Sequence, residues 1–256
     1  MPELRCLVSL WVPNGTLNAY LASNHLTILD HSRMLEDVSA GLRYLHSVSV
    51  VHRDITGANI LIDEGGHARL IDFGLSTIVR PLLDQSHLAA TSIRSGAILY
   101  AAPELVLPDD DHDLGPLEKT DIYSFGCVML QVLSGRLPWS EIKSERPDSR
   151  IVVMISEGWG PQRPDGPPAI IDMDWDFIQR CLQFGPELRP SADEVLDFVM
   201  HRFSSSGSTR PPDDPPDDSP DDPQDGFPGD SSYGVSGGSD ATERLPDIPP
   251  PTMMMN

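Results

Sequence analysis

Across residues 4–202 the apolar positions recur mostly with a helical period, interrupted by short β-rich runs. Leu35, Val38, Leu42 and Leu45 follow one another at three- and four-residue spacing, which puts them on one face and predicts a helix over about residues 32–47. Residues 120–133 are apolar nearly all round, the mark of a helix enclosed on every side. Ser191 stands three residues before Glu194, after Pro190 and ahead of Val195, Leu196, Phe198 and Val199, so a capping box is predicted to open an amphipathic helix there. Two β-rich runs, 59–63 and 67–71, are joined by Glu64, Gly65 and Gly66 and predict a hairpin.

This patterning stops near Phe203. From there to Asn256, eleven Asp or Glu stand against two Arg, and eleven of the chain's 25 prolines gather in the same stretch, partly as two Pro-Pro-Asp-Asp repeats over 211–218. Such a segment has too little apolar surface to offset the entropy of ordering its backbone. The expected organisation is therefore a folded domain over 1–202 and a disordered acidic tail over 203–256. The tail reads either as a docking or regulatory segment, with Ser219 and Tyr233 as phosphorylation candidates, or as a solvated appendage.

A formal charge of −21 disfavours nucleic acid or an acidic membrane surface as partner, since both require basic surface. The longest apolar region, 122–133, is interrupted by Ser124 and Gln131 and is too short to span a bilayer, and no basic-then-apolar run at the amino terminus reads as a signal peptide. Three widely spaced cysteines, Cys6, Cys127 and Cys181, suit reduced core thiols and a cytoplasmic or nuclear setting.

The chemistry is carried by two loops. His52, Arg53 and Asp54 are followed by Asn59, and the predicted hairpin then delivers Asp72, Phe73 and Gly74. Phosphoryl transfer asks little covalent help of a protein; it needs an acceptor hydroxyl held in line and phosphate charge neutralised. Asp54 is the candidate to orient that hydroxyl and take its proton, while Asn59 and Asp72 offer the hard oxygen donors that magnesium prefers. A hairpin between Asn59 and Asp72 returns both to one edge. Each of the three, taken singly, reads better as a loop-capping residue; taken together, their order and spacing favour the catalytic reading.

These motifs resemble the eukaryotic protein kinase family, whose catalytic loop and magnesium loop they match. Ala102, Pro103 and Glu104 are similar to the family's Ala-Pro-Glu element, residues 121–126 to the opening of its central helix, residues 135–139 to the loop after it, and Arg189 with Pro190 to its conserved-pair arginine site. The resemblance covers about residues 4–202 and implies an α+β fold: a mainly helical lobe with a small hairpin and a residual hinge strand. It also implies ATP and Mg2+ as cofactors and a protein substrate. By the same likeness, residues 7–17 look like the fifth strand and hinge, with Ser9 as gatekeeper, Leu10 and Val12 offering backbone groups to adenine, and Leu61 beneath the ring. Glu104 and Arg189 are implied to form an ion pair and Asp121 to hold the catalytic loop, while His52 and Phe73 take structural roles.

The pattern departs from the family in two places. The family's glycine-rich loop, strand lysine and helix glutamate precede the hinge, and only about nine residues precede it here, so those parts are expected to be missing and transfer to be weak or absent. Bare lobe-facing surface of that kind implies either a partner that covers it or poor solubility. Thr56 stands where serine/threonine kinases usually carry lysine, and Gly96 and Ala97 where they carry Gly-Thr; the tyrosine-kinase pattern is not matched either. The helix 35–46 and the hinge look most like the tyrosine-kinase-like group, whose members mostly act on Ser/Thr. Arg53 beside Asp54 implies regulation by a phosphate on Thr91, Ser92 or Ser95, unless these hydroxyls simply make the loop polar. The leading expectation is a Ser/Thr-type protein kinase. The alternative is a pseudokinase-like module that binds proteins through its helical face and tail, and a small-molecule phosphotransferase is disfavoured by the Ala-Pro-Glu element.

Overall fold

The computed structural model of the chain describes residues 11–73, 77–78, 96–107 and 117–204. Helix α1 (Leu17–Ser23) starts at Thr16, whose Oγ1 accepts from the Ala19 N–H at 3.3 Å. Helix α2 (Ile28–Ser47) begins four residues before the expected position. Thr27 and Asp30 form a capping box there: the Asp30 N–H donates to Thr27 Oγ1 (3.2 Å) and the Thr27 N–H to Asp30 Oδ2 (2.9 Å). Ile28 and Leu29, 66% and 73% exposed, precede the stretch that faces the core, so apolar periodicity alone places the start too late. Further along, Met34, Leu35, Val38 and Leu42 are buried, and α2 packs against α4, α7 and the hairpin.

Among the described residues, four short strands make two antiparallel pairs. The hairpin is β2 (Ile60–Ile62) with β3 (Ala68–Leu70), in the register Ile60 to Leu70 and Ile62 to Ala68. Its turn is organised by Asp63, whose Oδ1 accepts from the N–H groups of Gly65 and His67 at 3.0 Å while Oδ2 accepts from Arg69. The His67 backbone bond, followed by the Arg69 side chain, holds this carboxyl below the usual range. The second pair, β1 (Val50–Val51) with β4 (Thr77–Ile78), brackets the catalytic loop on one side and the Asp72 loop on the other. Strands of two residues carry no readable period, and the sequence reading did not anticipate them.

Helix α3 (Pro103–Val106) precedes α4 (Glu118–Ser134), every residue of which from Thr120 to Ser134 is buried. Gly135, at φ 67°, ends it in the left-handed conformation that glycine adopts without strain. Helices α5 (Pro147–Ser156), α6 (Asp172–Cys181) and α7 (Ala192–Ser204) complete the lobe. A Cβ on Gly126 would lie 2.7 Å from Cys181 Cβ, so α4 and α6 touch backbone to side chain at that point. Burial pushes the Cys181 thiol up to about 12 and Cys127 higher still, leaving both as unreactive core groups.

The fold is α+β, mainly helical, with the expected hairpin. Helix α7 opens with the expected box, the Ser191 N–H donating to Glu194 Oε2 (2.8 Å) and the Glu194 N–H to Ser191 Oγ (3.2 Å). It runs to Ser204, two residues past the expected domain boundary. Cys6, the strand side of the hinge with Ser9 and Leu10, and the tail from 205 onward with Ser219 and Tyr233, lie outside the described residues. No described helix is long and apolar enough to cross a membrane.

Candidate active site

Strand β1 leads directly into His52, and α4 supplies the anchor beneath it. Asp121, fully buried, accepts from the backbone N–H groups of His52 (2.8 Å) and Arg53 (2.7 Å) and pairs with His46 Nε2 at 3.0 Å. These contacts fix the loop's entry from a helix 68 and 69 positions away in sequence. Arg53 adopts φ 66°, a left-handed backbone that costs a non-glycine residue free energy and persists only where the surroundings enforce it.

The His52 side chain then ties the two loops together. Its Nε2 meets the Ile71 carbonyl at 3.0 Å and its Nδ1 the Asp54 N–H at 3.3 Å. One tautomer, with the proton on Nε2, satisfies both contacts. Phe73, half-exposed, packs its ring 5.0 Å from the imidazole. His52 thus contacts both loops, and the Phe73 ring lies beside it.

Asp54 is buried, and Asn59 Nδ2 donates to both its carbonyl and its Oδ2 at 2.8 Å. With both amide hydrogens directed at Asp54, Asn59 Oδ1 is the polar atom of that side chain left to meet a cation. The Asn59 backbone is held from both sides: its N–H donates to the Thr56 carbonyl (3.0 Å) and its own carbonyl accepts from Ile71 N–H (2.9 Å). That last rung places Asp72 immediately beyond the strand pair, at φ 62° and exposed. Among the described residues no three His, Cys, Asp or Glu side chains converge as a metal centre. An amide oxygen and one carboxylate are nevertheless the donor set magnesium takes when phosphates and water complete its shell, so the residues fit that ion.

Next to the hairpin, residues 12–15 form a turn in which Gly15 (φ 69°) donates its N–H to the Val12 carbonyl at 3.3 Å, while Ile62 N–H donates to the Gly15 carbonyl at 2.9 Å. Leu61, whose strand neighbours Ile60 and Ile62 point into the core, is half-buried on the opposite face and bridges to Thr16. Leu10, Thr91, Ser92 and Ser95 lie outside the described residues.

Glu104 and Arg189 meet 85 positions apart in sequence, NH1 to Oε1 at 2.6 Å and NH2 to Oε2 at 2.8 Å. The remaining guanidinium hydrogens go to the carbonyls of Gln183, Lys119 and Phe184, so all five donors of a fully buried arginine are engaged, with the group stacked 5.2 Å over the Tyr123 ring. Two participants escaped the sequence reading: His46 as the third partner of Asp121, and Lys119 Nζ on the Arg189 and Pro190 carbonyls. A histidine or lysine near a helix end carries no signal that names its distant partner.

Comparison with known proteins places this arrangement. The protein kinase domain model matches residues 2–200, and the chain belongs to that family. Mitogen-activated protein kinase kinase kinase ANP1 of Arabidopsis thaliana is 33% identical over 205 residues, which cover 78% of this chain and 28% of the relative. Mitogen-activated protein kinase kinase kinase 2 of the same plant is 37% identical over 170 residues, covering 66% and 24%. Serine/threonine-protein kinase BCK1/SLK1/SSP31 of Saccharomyces cerevisiae is 32% identical over 176 residues, covering 67% and 11%. The chain spans less than a third of the length of each of these relatives.

Proposed function

We propose that this chain carries the acceptor- and metal-binding residues of a kinase that moves the γ-phosphate of ATP to serine or threonine hydroxyls of a protein. The observation behind the reading is the Asp54–Asn59 pair, in which the amide fixes the carboxylate and keeps its own oxygen for a cation. Asp54 orients the acceptor hydroxyl and takes its proton. Mg2+, when held by Asn59 Oδ1 and the Asp72 carboxylate, would neutralise charge on the transferring phosphate. Val12 and Leu61 receive the adenine with Leu10, and Arg53 receives a phosphate placed on Thr91 or Ser92. The printed names of the relatives support Ser/Thr chemistry and suggest a mitogen-activated protein kinase kinase as the acceptor protein.

Thr56 gives the alternative its one specific support. Its Oγ1 lies 3.3 Å from the Asn59 N–H, turned into the loop, so this position brings no cation toward a phosphate. A pseudokinase-like module, binding proteins without transfer, has that feature in its favour.

Incubation of the purified chain with Mg·[γ-32P]ATP and a mixed protein acceptor separates the readings. Labelling of acceptor serine or threonine, lost with EDTA and reduced ~10²–10⁴-fold by Asp54→Asn, is the expected result. Equal labelling by the wild type and that variant overturns it.

A further inference from the structure

Gly57 lies midway between Asp54 and Asn59 and is buried. Its carbonyl accepts from the Asn18 N–H of α1 at 3.2 Å. From Asn18 a chain of side-chain hydrogen bonds departs: Gln131 Nε2 on α4 donates to Asn18 Oδ1 at 2.7 Å, and the Tyr100 hydroxyl donates to Gln131 Oε1 at 2.6 Å. Burial raises the Tyr100 phenol well above its usual range. The chain of contacts thus runs from Gly57 through Asn18 and Gln131 to Tyr100. A Cβ on Gly57 would fall 2.1 Å from Asn18 Oδ1 and 2.7 Å from Gln131 Oε1, so the catalytic-loop backbone rests directly on the two amides with no room for a side chain.

The far members of this chain are themselves fixed. Tyr100 is nearly fully buried, and its carbonyl accepts from Ser124 Oγ of α4 at 2.9 Å. Gln131 is buried within a helix enclosed on all sides, where a polar group is tolerated only with its hydrogen bonds made. Tyr100 closes the 3-10 turn Ala97–Leu99 and stands four residues before Glu104, in the segment that leads into α3.

We propose that Asn18, Gln131 and Tyr100 are positioning residues: a hydrogen-bonded chain ending on the Gly57 carbonyl that clamps the middle of the catalytic loop and couples it to the segment 96–102. Asp121 fixes the start of that loop and Ile71 its end. The four residues between Asp54 and Asn59 have to hold Asp54 against an acceptor and Asn59 against a cation, and the chain supplies the restraint in between. A shift of segment 96–102 is transmitted to Gly57 through Tyr100 and Gln131, and from there to both functional side chains. The catalytic part of this inference rests on the kinase reading above; the clamp itself rests only on the geometry.

The test uses Tyr100→Phe, Gln131→Met and Gly57→Ala in the full chain, with amide hydrogen exchange followed by mass spectrometry over residues 52–60 and, as control, over α7. Removing one member leaves a buried partner unsatisfied, so exchange in 52–60 should quicken about tenfold or more while α7 is unchanged. In a transfer-competent preparation, Tyr100→Phe should lower kcat severalfold at unchanged KM for Mg·ATP. Gln131→Glu keeps an acceptor for Tyr100 but loses the donor to Asn18, and should fall between wild type and Gln131→Met. If Gly57→Ala fails to fold, Tyr100→Phe alone decides, since it removes a single oxygen. Exchange in 52–60 within twofold of wild type, or quickened equally in α7, overturns the clamp. A wild-type chain that labels no acceptor sinks the kinase reading instead, and the exchange data still decide the clamp.

Discussion

Asp121 and Asp72 serve the same loop assembly under opposite conditions. Asp121 is fully buried in α4, and its two oxygens take three donors at 2.7–3.0 Å. Asp72 is exposed at the mouth of the hairpin on left-handed backbone, positioned by the Ile71 rung behind it. The first carboxylate has its charge compensated by protein and fixes geometry. The second is solvent-facing. The same division separates a buried wall of the lobe, made of Asp121 and the Glu104–Arg189 pair, from an exposed lip, made of Asp72 and Phe73.

The contrast can be broken hardest at the wall. Glu104→Ala strips a buried guanidinium of its charge partner and should destabilise the lobe by about 3–5 kcal/mol, read as a lowered urea midpoint at unchanged m. A shift under about 1 kcal/mol would mean the three carbonyls suffice for Arg189. Asp121→Asn keeps one acceptor oxygen but leaves one buried backbone donor facing an amide, for about 1–3 kcal/mol.

Smaller effects come from the helix starts. The Thr27 backbone bond to Asp30, and the Ser191 backbone bond to Glu194, hold these carboxyls below their ordinary values of 3.8 and 4.5. Depressed folded values mean stability that is fully present above those ordinary values and is lost as pH falls through the folded ones. Asp30→Asn should therefore flatten the acid limb of a stability-against-pH curve; an unchanged limb would show that the cap is not coupled to protonation.

At the lip, Asp72→Asn should move stability by no more than about 0.5 kcal/mol while cutting acceptor labelling ~10²-fold or more. A variant that labels normally, or one that unfolds, would erase the distinction between wall and lip. Smallest of all, Arg180→Ala removes an ion pair of 3.8 Å in which both side chains are 57% exposed, and its urea midpoint should change by under about 0.5 kcal/mol.

The elements most legible in the sequence were those built by neighbours. The 191–194 box, the hairpin turn at 64–66 and the enclosed character of α4 all follow from residues within a few positions of one another. The catalytic and magnesium loops were legible for a different reason, through the order of motifs shared with a family. Helix α2 was read short because its first turn is capped but solvent-facing, which hides it from a search for buried faces. Strands β1 and β4 were missed because two-residue strands are created by their partner across the pair.

Local order, helix caps, the hairpin and the identity of the loop residues were thus fixed by the chain itself, because each depends on side chains a few positions apart. Tertiary structure alone decided that His46 meets Asp121 across 75 positions, that Gln131 meets Asn18 across 113, and that Arg53 adopts left-handed backbone. Such contacts exist only after α1, α2 and α4 have packed, and no period or spacing along the chain encodes which buried donor will find which acceptor.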